Sequence, residues 1–273
     1  MPESIKSLVW ATDVDVLAAD HELTRRDGYW VVRSPHNPTY WWGNFLLFDQ
    51  EPGSGDGERW ESLFDRELGY LPQIEHRAVA WDTTDGSLGE AERELVARGY
   101  ELELTAGLVA TAGQIRAHPR ANREAQVRRL DPAGDEQLWS AVLEMRIREA
   151  PDELRESGYH RPFVERHQQE LRELLQSGRG GAYVALLDGQ VAGSLAIVVT
   201  AHRARYQQVE TAAAFRRLGI ARRLVVDAAH DALARDRIEC FVIAADPDYH
   251  ALALYEGLGF KRVELVVGAL RKP

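Results

Sequence analysis

The sequence predicts an α/β protein built as two domains. At 273 residues it exceeds an average single domain. Along its whole length, short apolar runs of strand character alternate with segments of helical spacing. The second half also repeats the order of the first: strand, glycine-rich loop, helix, strand, helix, a Gly-aromatic pair, strand. We therefore expect domains at 1–120 and 124–273, the first a worn internal copy of the second.

In the first half, Trp30–Arg33 and Asn44–Phe48 read as strands. The loop from Pro52 to Gly57 leads to a helix whose apolar stripe is Trp60, Leu63, Phe64 and Leu68. His76–Trp81 is a further strand. Ser87 and Glu90 stand at capping-box spacing and predict a helix start, with the helix ending near Arg98-Gly99. Glu101–Ala110 suits one or two strands. Forty-two residues separate Gly57 from Gly99, and 40 separate Gly219 from Gly259, which aligns the two halves. Six of the seven tryptophans lie between Trp10 and Trp81, where they either fill a core or interface or, as the Tyr40-Trp41-Trp42 trio, line a pocket. Gln114–Arg123, with Pro119 and scattered arginines, reads as a linker.

In the second half, Gln126–Leu130 is a short strand, Asp135–Arg148 a helix, and 149–162 irregular before a second helix runs to about Gln176. Tyr183–Leu187 and Val191–Val199 form a hairpin around Asp188-Gly189, a strong two-residue turn signal. Tyr206–Thr211 is extended. A helix follows from Ile220 to about Arg235, then the apolar run Ile238–Ala245 and a short helix through Leu254-Tyr255 to Leu258-Gly259-Phe260.

Charge and composition exclude several classes. Met1–Arg120 carries 11 Lys and Arg against 21 Asp and Glu, and the remainder 22 of each, so no part has the basic surplus that nucleic acid requires. No apolar run reaches the length of a membrane span, and no basic-then-apolar leader opens the chain, so no membrane partner and a cytoplasmic location are expected. Cys240 is the only cysteine, in an apolar run, and reads as a buried small residue. The nine histidines are scattered without ligand spacing, so no metal is expected.

Arg216-Arg217-Leu218-Gly219-Ile220-Ala221 joins the strand Tyr206–Thr211 to its helix. A helix opened by glycine presents unpaired N–H groups with the dipole behind them, and Arg216, Arg217, Arg222 and Arg223 add full charges. That is the chemistry of a diphosphate cradle, although an isolated Arg-x-x-Gly-x-Ala also reads as a solvated helix start. The downstream Leu254-Tyr255-x-x-Leu258-Gly259-Phe260 favours the cradle. Together the two motifs, spanning roughly Ala182 to Val267, resemble the GNAT acetyltransferase superfamily.

The resemblance implies two GNAT-like domains, each a mixed, mostly antiparallel sheet flanked by helices. It implies acetyl-CoA as co-substrate, held by the backbone of Val209 and Thr211, by Arg216, Arg217, Leu218, Gly219, Ile220, Ala221 and Arg222, and at Asp248, where many members have asparagine. The implied reaction is direct attack of a small-molecule or peptide amine on the thioester. Tyr255 stands at the family's tyrosine position as proton donor to the leaving thiolate. Many members carry a glutamate where this chain has Arg205. Glu210, the only carboxylate of the strand, is the candidate base, with pairing to Arg216 as its structural alternative and His250 as another candidate. Tyr159 and His160 are candidates to touch the acceptor. The first half lacks the arginines and has Leu95 where the second has Tyr255, so it retains neither function. A non-catalytic acyl-CoA-binding sensor is the alternative reading. Oligomeric state stays open.

Overall fold

The structure, a computed structural model, describes residues 5–273. The chain forms two compact units: Met1–Gly107 with Ala245–Pro247 and Val263–Pro273, and Leu108–Ala244 with Asp248–Arg262. The division differs from the expected 1–120 and 124–273: residues 108–120 cluster with the second unit, and Ala245–Pro247 and Val263–Pro273 cluster with the first.

The first unit opens with α1 (Leu8–Asp15) and continues through β1 (Glu22–Arg26), β2 (Tyr29–Arg33), β3 (Phe45–Phe48), α2 (Asp56–Glu67), β4 (Arg77–Trp81), α3 (Glu92–Ala97) and β5 (Glu101–Ala110). Its sheet order is β1-β2-β3-β4-β11-β5, where β11 is the chain's last strand, Lys261–Arg271. β2 pairs antiparallel with β1 and β3, β3 runs parallel to β4, and β11 lies antiparallel to β4 with Val267 opposite Trp81. The predicted stripe of α2 does enter the core: Trp60, Phe64 and Leu68 are buried with Phe48, Trp81 and Leu95. Burying each such side chain contributes roughly 1.5–3 kcal/mol. Trp60 stacks on Phe48 at 3.8 Å between ring centroids. Trp10, Trp60 and Trp81 are buried in this unit, and Trp42 packs 5.4 Å from Trp10, so these tryptophans belong to the core.

Sequence patterning missed α1 and β1. β1 is Glu-Leu-Thr-Arg-Arg on the sheet edge, with no apolar alternation to betray it. The Ser87–Glu90 spacing does not cap a helix. The amide of Glu90 donates to the carbonyl of Pro52, and α3 begins at Glu92 without a side-chain cap.

The second unit contains β6 (Gln126–Arg129), α4 (Glu136–Glu149), α5 (Asp152–Glu156), α6 (His160–Gln176), β7 (Gly180–Leu187), β8 (Gln190–Thr200), β9 (Arg203–Thr211), α7 (Ile220–Arg235), β10 (Cys240–Ala245) and α8 (Ala251–Gly257). Its strands run in the order β10-β9-β8-β7-β6, with β9 and β10 parallel and the other pairs antiparallel. The β7–β8 turn has Asp188 and Gly189 both at positive φ, as that dipeptide predicts. α7 buries Ile220, Leu224, Val225, Ala228 and Ala232 against the sheet. Both units therefore use two antiparallel strand pairs followed by a helix and a parallel strand. Among the described residues no helix is long and apolar enough to cross a membrane.

Candidate active site

β9 and β10 separate early. Their register places Cys240–Val242 opposite Arg203–Arg205, yet β9 continues to Thr211 with its remaining partners on β8. The separation coincides with a β-bulge. Ser194 pairs with Glu210 but Ala196 pairs with Gln207, so Gln208 and Val209 together face Leu195. Gln208 adopts φ 54°, unusual for a residue with a side chain, and its Nε2 donates to Nδ1 of His167 at 3.2 Å. Burial, and secondarily the charge of Arg146, holds His167 well below the ordinary histidine pKa, so the ring stays neutral and can accept that bond. Periodicity gave no sign of it, but Gly193, whose place within β8 reads as a hint of close backbone approach, stands beside it: a Cβ there would lie 2.7 Å from the Glu210 carbonyl oxygen.

A cavity of about 730 Å³ opens at this bulge. One wall is Val209, Glu210 and Thr211 with the turn Arg216, Arg217 and Gly219 and the start of α7. Arg217 (φ 65°) and Gly219 (φ 79°) are both left-handed, and no side chain caps the helix. The first amides of α7 are therefore available to an anion, with Arg216, Arg217 and Arg222 beside them. The Nε of Arg222 is buried with no hydrogen-bond partner among the described residues. An uncapped dipole and such a buried guanidinium N–H fit a diphosphate.

The glycine of this turn has a second role that the sequence did not disclose. A Cβ on Gly219 would lie 2.0 Å from the carbonyl oxygen of Arg120, and one on Gly259 would lie 1.9 Å from that of Gln114. The segment read as a linker thus packs on both motif glycines. The amide of Asn122 donates to the Gly219 carbonyl and that of Arg116 to the Leu258 carbonyl.

Tyr255, on α8, lines the cavity and is 6% exposed. Burial, reinforced by Tyr249, pushes its pKa up to about 12, so the phenol keeps its proton at neutral pH. Glu210 also lines the cavity, its carboxylate 3.4 Å from Nε of Arg146. Burial raises the Glu210 pKa and Arg146 opposes the rise. The expected alternative partner, Arg216, instead donates through Nη2 to Glu149 at 2.9 Å.

His160 and His250 line the same cavity, whereas Tyr159 precedes α6 outside the lining. Nε2 of His160 is buried without a hydrogen-bond partner among the described residues, and burial lowers the ring's pKa. Leu218, 48% exposed, and Asp248, also exposed, lie outside the lining as well. Arg146 and Glu149 were missed. A signal existed, since Arg146 follows Val142 by four residues and so lies on the buried stripe of α4.

Comparison with known proteins bears on the family and the fold. Residues 139–260 match the acetyltransferase (GNAT) family. This part of the chain is a GNAT acetyltransferase domain. No functionally curated protein matches the sequence. Among solved structures, a GCN5-related N-acetyltransferase from Kribbella flavida is similar at a TM-score of 0.65 and 12% identity, covering 99% of this chain and 96% of that one. A functionally unknown conserved protein from Staphylococcus epidermidis aligns at 0.70 and 13%, covering 92% and 94%. A tandem GNAT protein from the clavulanic acid biosynthesis pathway aligns at 0.56 and 14%, covering 100% and 90%. At these identities the likeness is one of fold.

The first unit offers no matching anion site at α2. The residue before that helix is Gly55 (φ 83°), which makes it, rather than Gly57, the counterpart of Gly219. The carboxylate of Glu94 accepts the amide of Glu58 at 2.9 Å, and Gly57 leaves room for it: a Cβ there would lie 2.7 Å from Glu94 Cδ. The start of α2 is thus occupied by the unit's own anion. Leu95, at the place of Tyr255, is buried in the core.

Proposed function

We propose that the chain transfers an acetyl group from acetyl-CoA to an amine of a small molecule or peptide by direct attack. The observation that carries this reading is the single cavity lined by the bulged strand, the arginine-flanked start of α7, Glu210 and Tyr255. The diphosphate would be held by the amides at the start of α7 with Arg216, Arg217 and Arg222. The backbone of Val209 and Thr211 would pair with the pantetheine arm as an added strand.

Glu210, with its raised pKa, takes the proton of the attacking ammonium. The nitrogen then bonds to the thioester carbon while the amide of Val209, at the bulge, donates to the developing oxyanion. The carbon–sulfur bond breaks, and Tyr255 gives its proton to the departing thiolate. His250 and water remain alternative routes for the amine proton.

The test is a screen of small amines and peptides with acetyl-CoA, following release of free thiol. Amine-dependent release is expected. Tight binding of acetyl-CoA with no release above background for any amine would leave an acyl-CoA-sensing role instead.

A further inference from the structure

The peptide plane between Gln208 and Val209 carries the Val209 N–H, and the dihedrals of Gln208 set where that plane points. The ladder fixes both ends of the bulge, with Gln207 opposite Ala196 and Glu210 opposite Ser194, and leaves the conformation in between to Gln208. Gln208 is left-handed, at φ 54°; an extended residue in its place would turn the Val209 N–H elsewhere. That region is disfavoured for a residue with a Cβ, and glutamine lacks the short side chain that lets asparagine and aspartate enter it. The support comes from outside the strand. Nε2 of Gln208 donates to Nδ1 of His167 on α6 at 3.2 Å, and burial keeps that ring neutral, so Nδ1 remains an acceptor. The ring is itself fixed, because Phe163, one turn earlier on α6, stacks on it at 5.4 Å between centroids and 26° between planes. Phe163 and Val209 line the cavity, whereas His167 and Gln208 lie outside its lining.

Resting on the acetyl-CoA reading above, in which the Val209 amide donates to the oxyanion, we propose that His167 is a positioning residue for the transfer. Through Gln208 it holds the bulge left-handed and so aims that amide at the thioester carbonyl. It acts on the backbone of β9 and not on the reacting atoms.

Glycine adopts positive φ without support, which separates this role from that of a merely structural bond. In the full chain, His167→Phe keeps a ring against Phe163 and removes the acceptor. With the amine found by the thiol-release screen it should lower kcat about 100-fold, the low end for a lost oxyanion donor, while acetyl-CoA affinity by calorimetry stays unchanged. Gln208→Ala should lose as much. Adding Gln208→Gly to His167→Phe should bring kcat back to within about 10-fold of wild type, because the left-handed backbone then needs no holding. Wild-type kcat in either single variant, or no recovery in the double variant, would overturn the proposal. Infrared spectroscopy reads the amide without turnover, using acetyl-CoA isotope-labelled at its thioester carbonyl carbon and bound in the absence of amine. The carbonyl stretch should fall on binding to wild type, return toward its free value in His167→Phe, and fall again in the double variant. The same stretch in wild type and His167→Phe would overturn the positioning role. A wild type that does not bind acetyl-CoA would instead overturn the acetyl-CoA reading, and with it the role that rests on it.

Discussion

Tyr255 and His76 are both buried titratable rings, and burial acts on them in opposite senses. For Tyr255 it disfavours the phenolate and raises the pKa to about 12, so the hydroxyl remains a proton donor across the physiological range. Tyr255→Phe should lower kcat about 100-fold, the low end of a general-acid contribution, while CoA affinity by calorimetry stays unchanged. The acid limb of the pH–rate profile should belong to Glu210 and lie above the ordinary carboxylate range, because burial raises its pKa. For His76, 1% exposed and donating through Nε2 to the Asn44 carbonyl, burial disfavours the imidazolium and lowers the pKa to about 4. The unfolded chain therefore binds a proton near pH 6.5 that the folded chain refuses until about pH 4. Stability is full above that window and falls through it as pH drops, by on the order of 3 kcal/mol from this residue. Chemical denaturation at pH 7 and pH 4.5 should show the loss, and His76→Gln, which keeps a donor but does not titrate, should flatten the slope.

At the scale of single elements, α1 illustrates how a weak helix is held in place. It has eight residues, and its start is gripped by two carboxylates: Asp82 accepts the amides of Lys6 and Ser7, while Glu264 accepts those of Leu8 and Val9 and the hydroxyl of Ser7. Glu264→Gln keeps one acceptor oxygen and should cost about 1–3 kcal/mol of stability in urea denaturation. Such an element is illegible in sequence, because the residues that fix it are 75 to 257 positions away. Elements whose cause is local were legible. α7 begins at Ile220 and ends at Arg235 as its apolar spacing requires, and the β7–β8 hairpin turns at Asp188-Gly189. In the candidate site, the motif residues Arg216, Gly219 and Tyr255 were readable because each motif is contiguous. Arg146 was readable as a residue on the buried stripe of α4, but that it and Glu149 join the site was not, since only folding brings that helix, about 60 positions upstream, to Glu210 and Arg216. The bulge at Gln208 was hidden for a different reason: the left-handed residue is a glutamine supported by His167, and neither type signals a bulge.

At the scale of the molecule, the motif order along the chain assigns the last strand to the second half, whereas that strand completes the sheet of the first unit. Val263–Pro273 clusters with Met1–Gly107, β11 pairs with β4 from Val267↔Trp81 to Arg271↔Arg77, and Val266, Val267, Ala269 and Leu270 are buried. Stopping the chain after Arg262 would strip β4 of that partner and leave an open edge. It would also remove the apolar burial of those side chains, worth on the order of 5 kcal/mol, comparable with the whole stability of a typical domain. Six of the seven tryptophans lie between Trp10 and Trp81, so intrinsic fluorescence reports mainly on this unit. A chain ending at Arg262 should therefore show red-shifted tryptophan emission and no cooperative transition by that probe. Native emission from the shortened chain would mean that the first unit is complete without the strand, and that the cut expected after Arg120 separates two self-sufficient domains.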